Sequence, residues 1–444
     1  MSTLLNRIHD AYSRYGYTHL DIGEENAQVY TKKIGLFQLA EILRLTSNAP
    51  YEEVRKELER SGYLTRHQEF ISEQVLLDTL FQSHFQLLSS RRELENRSKR
   101  FKNGLSAYLG SDYKYVPAPF QIFSEQTPQN NTVVSTIIDL FKQNGPQLIF
   151  LEAAAGFGKT CTAFEVLESL LDERDDWLPI LTELQYNRKA KLFRYVLLDE
   201  IDKQFNLPSE LVASEIKLGR LPLVIDGFDE LILQKPQGIK DEVDFTHAEA
   251  MLDTISSLLD NQSKVLITTR RTALFSGAEF EDWLEQLEQD GCKVHRIELD
   301  APRPADWLGK VRETRLMQTG VPILNLANPV LFSYLRNLPE VEFDSISQTP
   351  SKVVSHFFTA LLERETKRQD LRIKVQEQLK LLRCIARNML KNDTKHVSPD
   401  QIRDSLMADS EIILIIDESC ALYGGEDALT REDFISKLLV HALL

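Results

Sequence analysis

The chain has 444 residues, of which 42 % are hydrophobic and 27 % are charged, and its formal net charge is −15. This length suffices for about three domains of ordinary size, and the composition is that of a soluble globular protein. Residues 1–115 carry 16 basic and 15 acidic residues, whereas the rest of the chain carries 36 and 52. The acidic balance disfavours binding of nucleic acid over the whole surface, because such binding depends on neutralising phosphate charge.

The four cysteines are scattered along the chain and form no C-x-x-C pair. This spacing argues against a zinc site or a disulfide framework and fits a reducing compartment. There is no apolar run of about 18 residues, and the first residues lack the pattern of a signal peptide. We therefore expect a cytoplasmic protein without a membrane partner.

Residues 1–115 are predicted to form an all-helical N-terminal domain, because apolar residues recur at helical spacing near residues 4–15, 36–43 and 71–80. Residues 36–66 fit a DNA-binding helix-turn-helix, and they fit two ordinary packed helices equally well. Residues 91–102, RRELENRSKRFK, form a basic cluster. The cluster is either a solvated helix face or a surface that docks onto an acidic partner or nucleic acid. Nucleic-acid binding is not expected of the chain as a whole, and it stays open as an alternative for residues 36–102.

Residues 116–145 begin with a stretch rich in Pro, Gln and Asn, which indicates a linker segment, and a helix is expected near 133–143. Strand and helix patterns then alternate through residues 146–300. Such alternation predicts a parallel sheet with helices on both faces, with ligands bound at the carboxyl ends of the strands. The expected strands after the first lie near 177–184, at 221–231 and at 264–271, with a last one at CKVHRIEL.

The segment LIFLEAAAGFGKTCTAFEVLESL, residues 148–170, reads as a strand, a glycine turn and an amphipathic helix. Its turn follows the phosphate-loop pattern G-x-x-x-x-G-K-[ST], except that Ala153 occupies the position of the first glycine. Glycines let backbone N–H groups surround a phosphate at a helix N-terminus. Lysine binds the outer phosphates and the threonine hydroxyl binds Mg²⁺. The predicted nucleotide contacts are Ala155, Gly156, Phe157, Gly158, Lys159, Thr160 and Cys161.

Acidic and basic side chains follow the next two buried strands. In LPLVIDGFDEL, Asp226 ends the strand and is predicted to bind Mg²⁺ together with Thr160, while Asp229 and Glu230 are placed to orient or deprotonate water. An acidic cluster at a helix N-terminus is the structural alternative. In KVLITTRR, Arg270 is the candidate for contacting the γ-phosphate, and its neighbour Arg271 is the competing candidate, since one of the two is expected to be a surface charge.

The remaining residues are predicted to be mostly helical. Residues 301–370 include LANPVLFSYLRN, and a capped helix is expected at SPDQIRDSL. The segment IILIIDESCALY, residues 412–423, is rich in β-branched residues, and we expect a short strand pair there. A helix is predicted for the last residues, LTREDFISKLLVHALL.

Residues 146–365 resemble the NACHT family of STAND nucleotide switches, which includes prokaryotic NLR-like proteins. LEAAAGFGKT is similar to the phosphate loop of that family, LGRLPLVIDGFDEL to its extended Walker B segment, and VLITTRR to its sensor strand, which maps the sensor onto Arg270. Pro329 in LANPVLFSYL is similar to a helical-domain proline that packs beside adenine. The resemblance implies a nucleotide-binding domain over 146–300, a helical domain over 301–370 and a winged-helix-like region over 371–444.

These motifs predict a P-loop NTPase that uses ATP, ADP and Mg²⁺. The resemblance implies slow, regulatory hydrolysis, self-assembly into a homo-oligomer in the ATP state, an unidentified trigger or effector protein, and a role in antiphage or innate defence. One alternative is an ATP-binding transcription regulator that binds DNA through the N-terminal module. Another is a motor or remodelling ATPase, which fast multiple-turnover hydrolysis would indicate.

Overall fold

The architecture was analysed in a computed structural model. The structure describes residues 2–47, 49, 51–109, 112–123, 131–154, 156–184, 193–205, 207–228, 252–270, 278–320, 323–324, 328–349, 353, 355, 358–359, 362–363, 366–367, 370–391, 399–423 and 428–439. Among these residues, the strands form one sheet of four strands and one of six. In the described part of the chain, no helix has the length and apolar character needed to cross a bilayer.

The N-terminal module is a mixed α/β unit, so the prediction of an all-helical domain over residues 1–115 is wrong. Its four-stranded sheet has the order β1-β2-β3-β4, with β1, β2 and β3 antiparallel and β4 parallel to β3. Helix α2 makes the connection between β3 and β4. The elements are α1 (Ser2–Arg14), β1 (Thr18–Leu20), β2 (Ala27–Ile34), β3 (Phe37–Arg44), α2 (Tyr51–Arg60), β4 (Tyr63–Glu69), α3 (Glu73–His84) and α4 (Leu87–Leu109).

Strand β3 explains the wrong prediction. Leu39 and Leu43 are buried in the main core, whereas Ala40 and Ile42 are buried in a second cluster on the other side of the sheet. A strand that is covered on both faces reads as a continuous apolar run, and periodicity alone does not separate such a run from a buried helix. Residues 36–66 accordingly form strand, helix and strand, and the helix-turn-helix hypothesis is wrong.

The predicted parallel sheet is confirmed in the second domain. Its strand order is β5-β10-β6-β9-β8-β7, in which all neighbours are parallel except β5, which is antiparallel to β10. The segment predicted as a linker therefore contributes an edge strand. The strands are β5 (Phe120–Ile122), β6 (Gln147–Glu152), β7 (Ile180–Glu183), β8 (Leu223–Asp226), β9 (Lys264–Thr269) and β10 (Lys293–Leu299).

Helices connect these strands, and the helix expected near 133–143 is confirmed. Strands β6, β7, β8 and β9 are buried at every position, as expected for a sheet covered on both faces. The helices of this domain are α5 (Val133–Phe141), α6 (Lys159–Glu173), α7 (Phe193–Gln204), α8 (Ser209–Lys217) and α9 (Ala278–Gln289).

The described elements beyond residue 300 are helices, and the strand pair expected at 412–423 is wrong. The Asp409 side chain accepts hydrogen bonds from the Glu411 and Ile412 amides and starts a helix there. Its buried residues Ile412, Ile415, Ile416 and Ser419 follow helical spacing, which outweighs β-branched composition. These helices are α10 (Pro304–Gln318), α11 (Pro329–Asn337), α12 (Glu340–Ser347), α13 (Val375–Lys391), α14 (Pro399–Met407), α15 (Ser410–Ala421) and α16 (Arg431–Leu439).

Gly219 lies just after α8, where the chain leaves this helix toward the sheet. Its surroundings predict that a substitution here lowers the stability of the protein. Its φ is +77°, and an added Cβ would lie 2.4 Å from the carbonyl oxygen of Gln262. Gly291 has a similar φ of +89°, but nothing lies within 4 Å of its added Cβ. We expect Gly219→Ala to lower the free energy of unfolding by roughly 2–4 kcal/mol and Gly291→Ala by only about 1 kcal/mol.

Thermal unfolding of both variants and of the wild-type protein measures this difference. Both alanines adopt a left-handed backbone, so the excess loss in Gly219→Ala reports the contact with Gln262. Equal melting temperatures of the two variants would contradict the crowding at Gly219.

Candidate nucleotide-binding site

The phosphate loop connects β6 to α6, as the sequence predicts. Gly156 and Gly158 have φ values of +78° and +92°, which side-chain-bearing residues rarely adopt, so the loop requires glycine at both positions. Ala153 is buried and is not among the described non-glycine residues with positive φ, so alanine is tolerated there. The loop leads directly into the N-terminus of α6, where backbone N–H groups favour an anion.

Lys159 is the first residue of α6, and its side chain folds back over the loop. Its ammonium group donates hydrogen bonds to the carbonyl oxygens of Ala153, at 2.8 Å, and Ala154, at 3.2 Å. Phosphate oxygens carry a full negative charge and accept stronger hydrogen bonds than carbonyl oxygens do. The loop therefore holds a cation that is suited to bind a phosphate group.

Asp226 lies at the carboxyl end of β8, and it is buried with 4 % of its surface exposed. Burial raises the pKa of this carboxyl group to about 6, and hydrogen bonds from the hydroxyls of Thr268 and Thr160 oppose the increase. Thr160 lies close enough to Asp226 to lower the pKa of this carboxyl group, so the two predicted Mg²⁺ ligands are neighbours. A hydroxyl and a carboxylate are oxygen ligands of the kind that Mg²⁺ prefers.

Thr268 on β9 positions Asp226, and the sequence analysis gave it no role. Its hydroxyl donates to Asp226 Oδ1 at 2.6 Å and accepts from the Gly227 amide at 2.9 Å. A buried hydroxyl at the end of an apolar strand is the feature that indicates such a role in the sequence, because buried polar groups need partners.

Replacing Thr268 tests this positioning. Thr268→Val leaves the Asp226 carboxylate and the Gly227 amide without this partner, so we expect about 1–3 kcal/mol less stability and a weaker effect of Mg²⁺ on nucleotide affinity. Thr269→Val is the matched control, since Thr269 is equally buried in the same strand and, among the described residues, its hydroxyl makes only a 3.5 Å contact with the Arg270 carbonyl.

Nucleotide titrations with Mg²⁺ and with EDTA compare the two variants. The Mg²⁺-dependent gain in affinity should fall in Thr268→Val and persist in Thr269→Val. An equal gain in both variants would remove Thr268 from the metal site.

Arg270 follows β9 directly and is half-buried, which places it at the same sheet edge as the phosphate loop and Asp226. The convergence of Lys159, Thr160, Asp226 and Arg270 at this edge agrees with their predicted positions. The predicted residues Ala155, Asp229 and Glu230 lie outside the described residues, and so does Arg271.

The N-terminus of α11 contacts the phosphate loop. Asn328 caps this helix by accepting a hydrogen bond from the Val330 amide at 2.8 Å. A Cβ added to Gly156 would lie 3.2 Å from Asn328 Nδ2, so the Asn328 side chain packs against the loop glycine. Pro329 is half-buried beside it. The fold therefore brings the helical domain to the loop at the Asn328-Pro329 pair.

A second surface is formed by Tyr115 and the start of the predicted linker, residues 116–145. The Tyr115 hydroxyl lies 3.1 Å from the hydroxyl of Thr162, in the first turns of α6. Residues 114–120 also line an open cavity of about 690 Å³, together with Asn131, Thr132, Arg303 and Asp306. Pro-rich composition alone gave no indication of this cavity, which forms only when the segment folds onto the sheet.

A family comparison matches the N-terminal part of the chain. Residues 7–123 match the profile of the family described as NACHT-associated inactive Restriction Endonuclease 2. This region contains the four-stranded sheet and ends just after β5. A search among curated proteins gave no match.

Three solved structures give weak overall superpositions. Cdc6p from Pyrobaculum aerophilum has a TM-score of 0.30 at 11 % identity, covering 75 % of this chain and 88 % of its own. AMPPCP-bound DnaA from Aquifex aeolicus scores 0.30 at 14 % identity, with coverages of 64 % and 86 %. The ORC2 protein of Aeropyrum pernix, in ADPNP and ADP complexes, scores 0.31 at 13 % identity, with 72 % and 88 %.

The fold is assigned from the sheet and the phosphate loop, and not from these superpositions. A parallel sheet, a glycine loop between β6 and α6, and Asp226 at the end of β8 together form the P-loop NTPase fold. The chain thus has a P-loop NTPase fold, preceded by a module similar to the NACHT-associated inactive Restriction Endonuclease 2 family.

Proposed function

We propose that this protein is a Mg²⁺-dependent ATP-binding switch whose slow hydrolysis resets it. The observation that carries the proposal is the position of the buried Asp226 carboxyl group at the carboxyl end of β8, at the same sheet edge as the glycine loop whose Lys159 ammonium folds back over the loop carbonyls. A phosphate cradle, a cation and a pair of metal ligands at one sheet edge are the parts that a nucleoside triphosphatase needs.

Each part has an assigned role in the proposal. The amides of residues 155–161 bind phosphate oxygens, Lys159 neutralises the outer phosphates, and Thr160 and Asp226 hold Mg²⁺. Mg²⁺, when bound, supplies charge neutralisation on the transferred phosphate. Asp229 and Glu230 orient or deprotonate the attacking water, and Arg270 distinguishes ATP from ADP through the γ-phosphate.

Two surfaces are assigned to the adenine ring. Pro329 follows Asn328, whose side chain packs against Gly156 of the loop. Tyr115 lines the cavity at residues 114–120, and its hydroxyl lies 3.1 Å from Thr162 in the first turn of α6.

The N-terminal module is proposed to act as an interaction module. Its similarity is to a family described as inactive, which favours a role without nuclease chemistry. The helix-turn-helix that supported a transcription regulator does not exist at residues 36–66, where the chain forms β3, α2 and β4. We therefore favour signalling by self-assembly, and the NACHT association of that family supports a setting in defence.

The nucleotide carried by the purified protein tests the switch. Denaturing the protein and separating the released small molecules by chromatography should identify ADP, and multiple-turnover hydrolysis should be slow. Light scattering should show a larger particle with a non-hydrolysable ATP analogue than with ADP, since a ligand shifts an equilibrium only through different affinities for its two states. Fast turnover without any change in particle size would favour a remodelling ATPase instead.

A further inference from the structure

The basic cluster at residues 91–102 lies on α4, and its partner is the chain's own NTPase domain. The sequence left open a solvated face or docking onto an acidic partner. In the structure, Arg91 donates to the carbonyl oxygens of Arg174 and Trp177 at 3.0 and 2.8 Å, at the end of α6. The N-terminal module is thus fixed to the helix that begins with the phosphate-binding residues.

Further along α4, three side chains contact α6. The Ser98 hydroxyl donates to Glu168 at 2.6 Å, and the Phe101 ring stacks on Phe164 with centroids 3.9 Å apart. Lys102 forms ion pairs with Glu165, at 2.9 Å, and with Glu168, at 2.5 Å. Helix α4 therefore covers an acidic face of α6 with complementary charge.

Arg97 of α4 binds two carboxylates of the NTPase domain. Its guanidinium binds Glu183 at the end of β7, through Nη2 at 2.7 Å and Nε at 3.1 Å, and binds Glu200 on α7 through Nη1 at 3.0 Å. The side chains of Glu183 and Glu200 are only 9 % and 12 % exposed. Because these two carboxylates are largely buried, their interaction with Arg97 is stronger and less screened by salt than an ion pair on the surface.

Glu183 is the direct neighbour of the metal ligand. It is paired in register with Asp226 across the parallel strands β7 and β8. Neighbouring strands lie about 4.8 Å apart, and residues in register point to the same face of the sheet. The negative charge of Glu183 also contributes to the raised pKa of Asp226. One carboxylate therefore stands between the Arg97 guanidinium and the site assigned to Mg²⁺.

We propose that docking of α4 through Arg97 and binding of Mg²⁺ at Asp226 oppose each other, so that Mg²⁺ loading of the nucleotide site loosens the N-terminal module. This inference rests on the nucleotide site proposed above. Arg97 and Mg²⁺ are both attracted by the adjacent carboxylates Glu183 and Asp226, and each cation lowers the negative potential that attracts the other. Coupling between two binding events is reciprocal, so each must weaken the other by the same factor.

Replacing Arg97 measures one direction of this coupling. The gain in ATP affinity that Mg²⁺ gives should be larger in Arg97→Gln than in the wild-type protein, by at least about 5-fold, which is the lower end of ordinary coupling between sites. Affinity for ATP in EDTA should change less. Arg100→Gln is the matched control, because Arg100 is on the same helix and pairs with Glu93 on the exposed surface at 2.8 Å.

A double variant separates charge from structure. Arg97→Gln with Glu183→Gln removes both the cation and the carboxylate, so the Mg²⁺-dependent affinity should return toward that of the wild-type protein. If Arg97 had only a structural role, the double variant would lose more Mg²⁺-dependent ATP affinity than the single variant. Fluorescence titration of a labelled ATP analogue, with Mg²⁺ and with EDTA, gives all of these affinities.

Hydrogen exchange of the wild-type protein measures the other direction without any substitution. Adding Mg²⁺ and a non-hydrolysable ATP analogue should speed amide exchange in peptides from residues 91–105, and the analogue with EDTA should not. Nucleotide binding with equal affinities in Arg97→Gln and Arg100→Gln, or with unchanged exchange in α4, would overturn this inference alone. Absence of nucleotide binding by the wild-type protein would overturn the proposed function as well.

Discussion

Lys159→Ala is expected to lose ATP binding almost completely while the protein stays folded. The substitution removes the cation that the Ala153 and Ala154 carbonyl oxygens hold over the loop. Hydrogen bonds and ion pairs to charged groups are stronger than neutral ones. Because this lysine faces two or more phosphate oxygens in the proposed complex, we expect affinity to fall by roughly 100-fold or more, about 2.7 kcal/mol.

Titration with a fluorescent ATP analogue and Mg²⁺ measures this loss, and thermal unfolding confirms that the fold persists. Lys203→Ala is a suitable control, since Lys203 is on α7 and pairs only locally with Asp199 within the described structure. Binding by Lys159→Ala that equals that of Lys203→Ala would remove Lys159 from the site.

Glu230→Gln is expected to retain ATP binding and to lose hydrolysis. Glu230 is assigned to the attacking water, so its amide analogue keeps the shape of the side chain but cannot accept the proton. Loss of one preorganised catalytic group typically lowers kcat by about 10²–10³-fold. The variant should therefore accumulate in the ATP state.

Single-turnover hydrolysis and the identity of the bound nucleotide measure this effect. Asp229→Asn is the matched comparison, because both carboxylates follow Asp226 in the same segment. Unchanged hydrolysis in Glu230→Gln together with abolished hydrolysis in Asp229→Asn would assign the catalytic base to Asp229 instead.

The NTPase fold could be predicted because its elements carry local patterns. Strand β6, the glycine turn and α6 are continuous in sequence, and strands such as β9 are long apolar runs bounded by polar residues. Parallel strands bring their carboxyl ends to one edge, so Lys159, Asp226 and Arg270 could be placed together without any knowledge of strand order.

The N-terminal module could not be predicted in the same way, because β3 is buried on both faces and shows no alternation. The prediction for residues 412–423 was wrong for a different reason. Their β-branched composition favours a strand, but their buried residues follow helical spacing and Asp409 caps the helix. Thr268 and Arg97 depend on contacts between residues far apart in sequence. No local pattern specifies that Arg97 meets Glu183, and only the docking of α4 onto β7 and α7 creates that contact.

The sheet edge formed by the phosphate loop and Asp226 is proposed to bind nucleotide together with Mg²⁺. Isothermal titration of the nucleotide-free wild-type protein with ATP, in Mg²⁺ and in EDTA, measures this binding. We expect saturable binding of one ATP per chain, tighter in Mg²⁺ than in EDTA, with the Mg²⁺ dependence abolished in Asp226→Asn. Absence of binding, or binding with the same Mg²⁺ dependence in Asp226→Asn as in the wild-type protein, would contradict it.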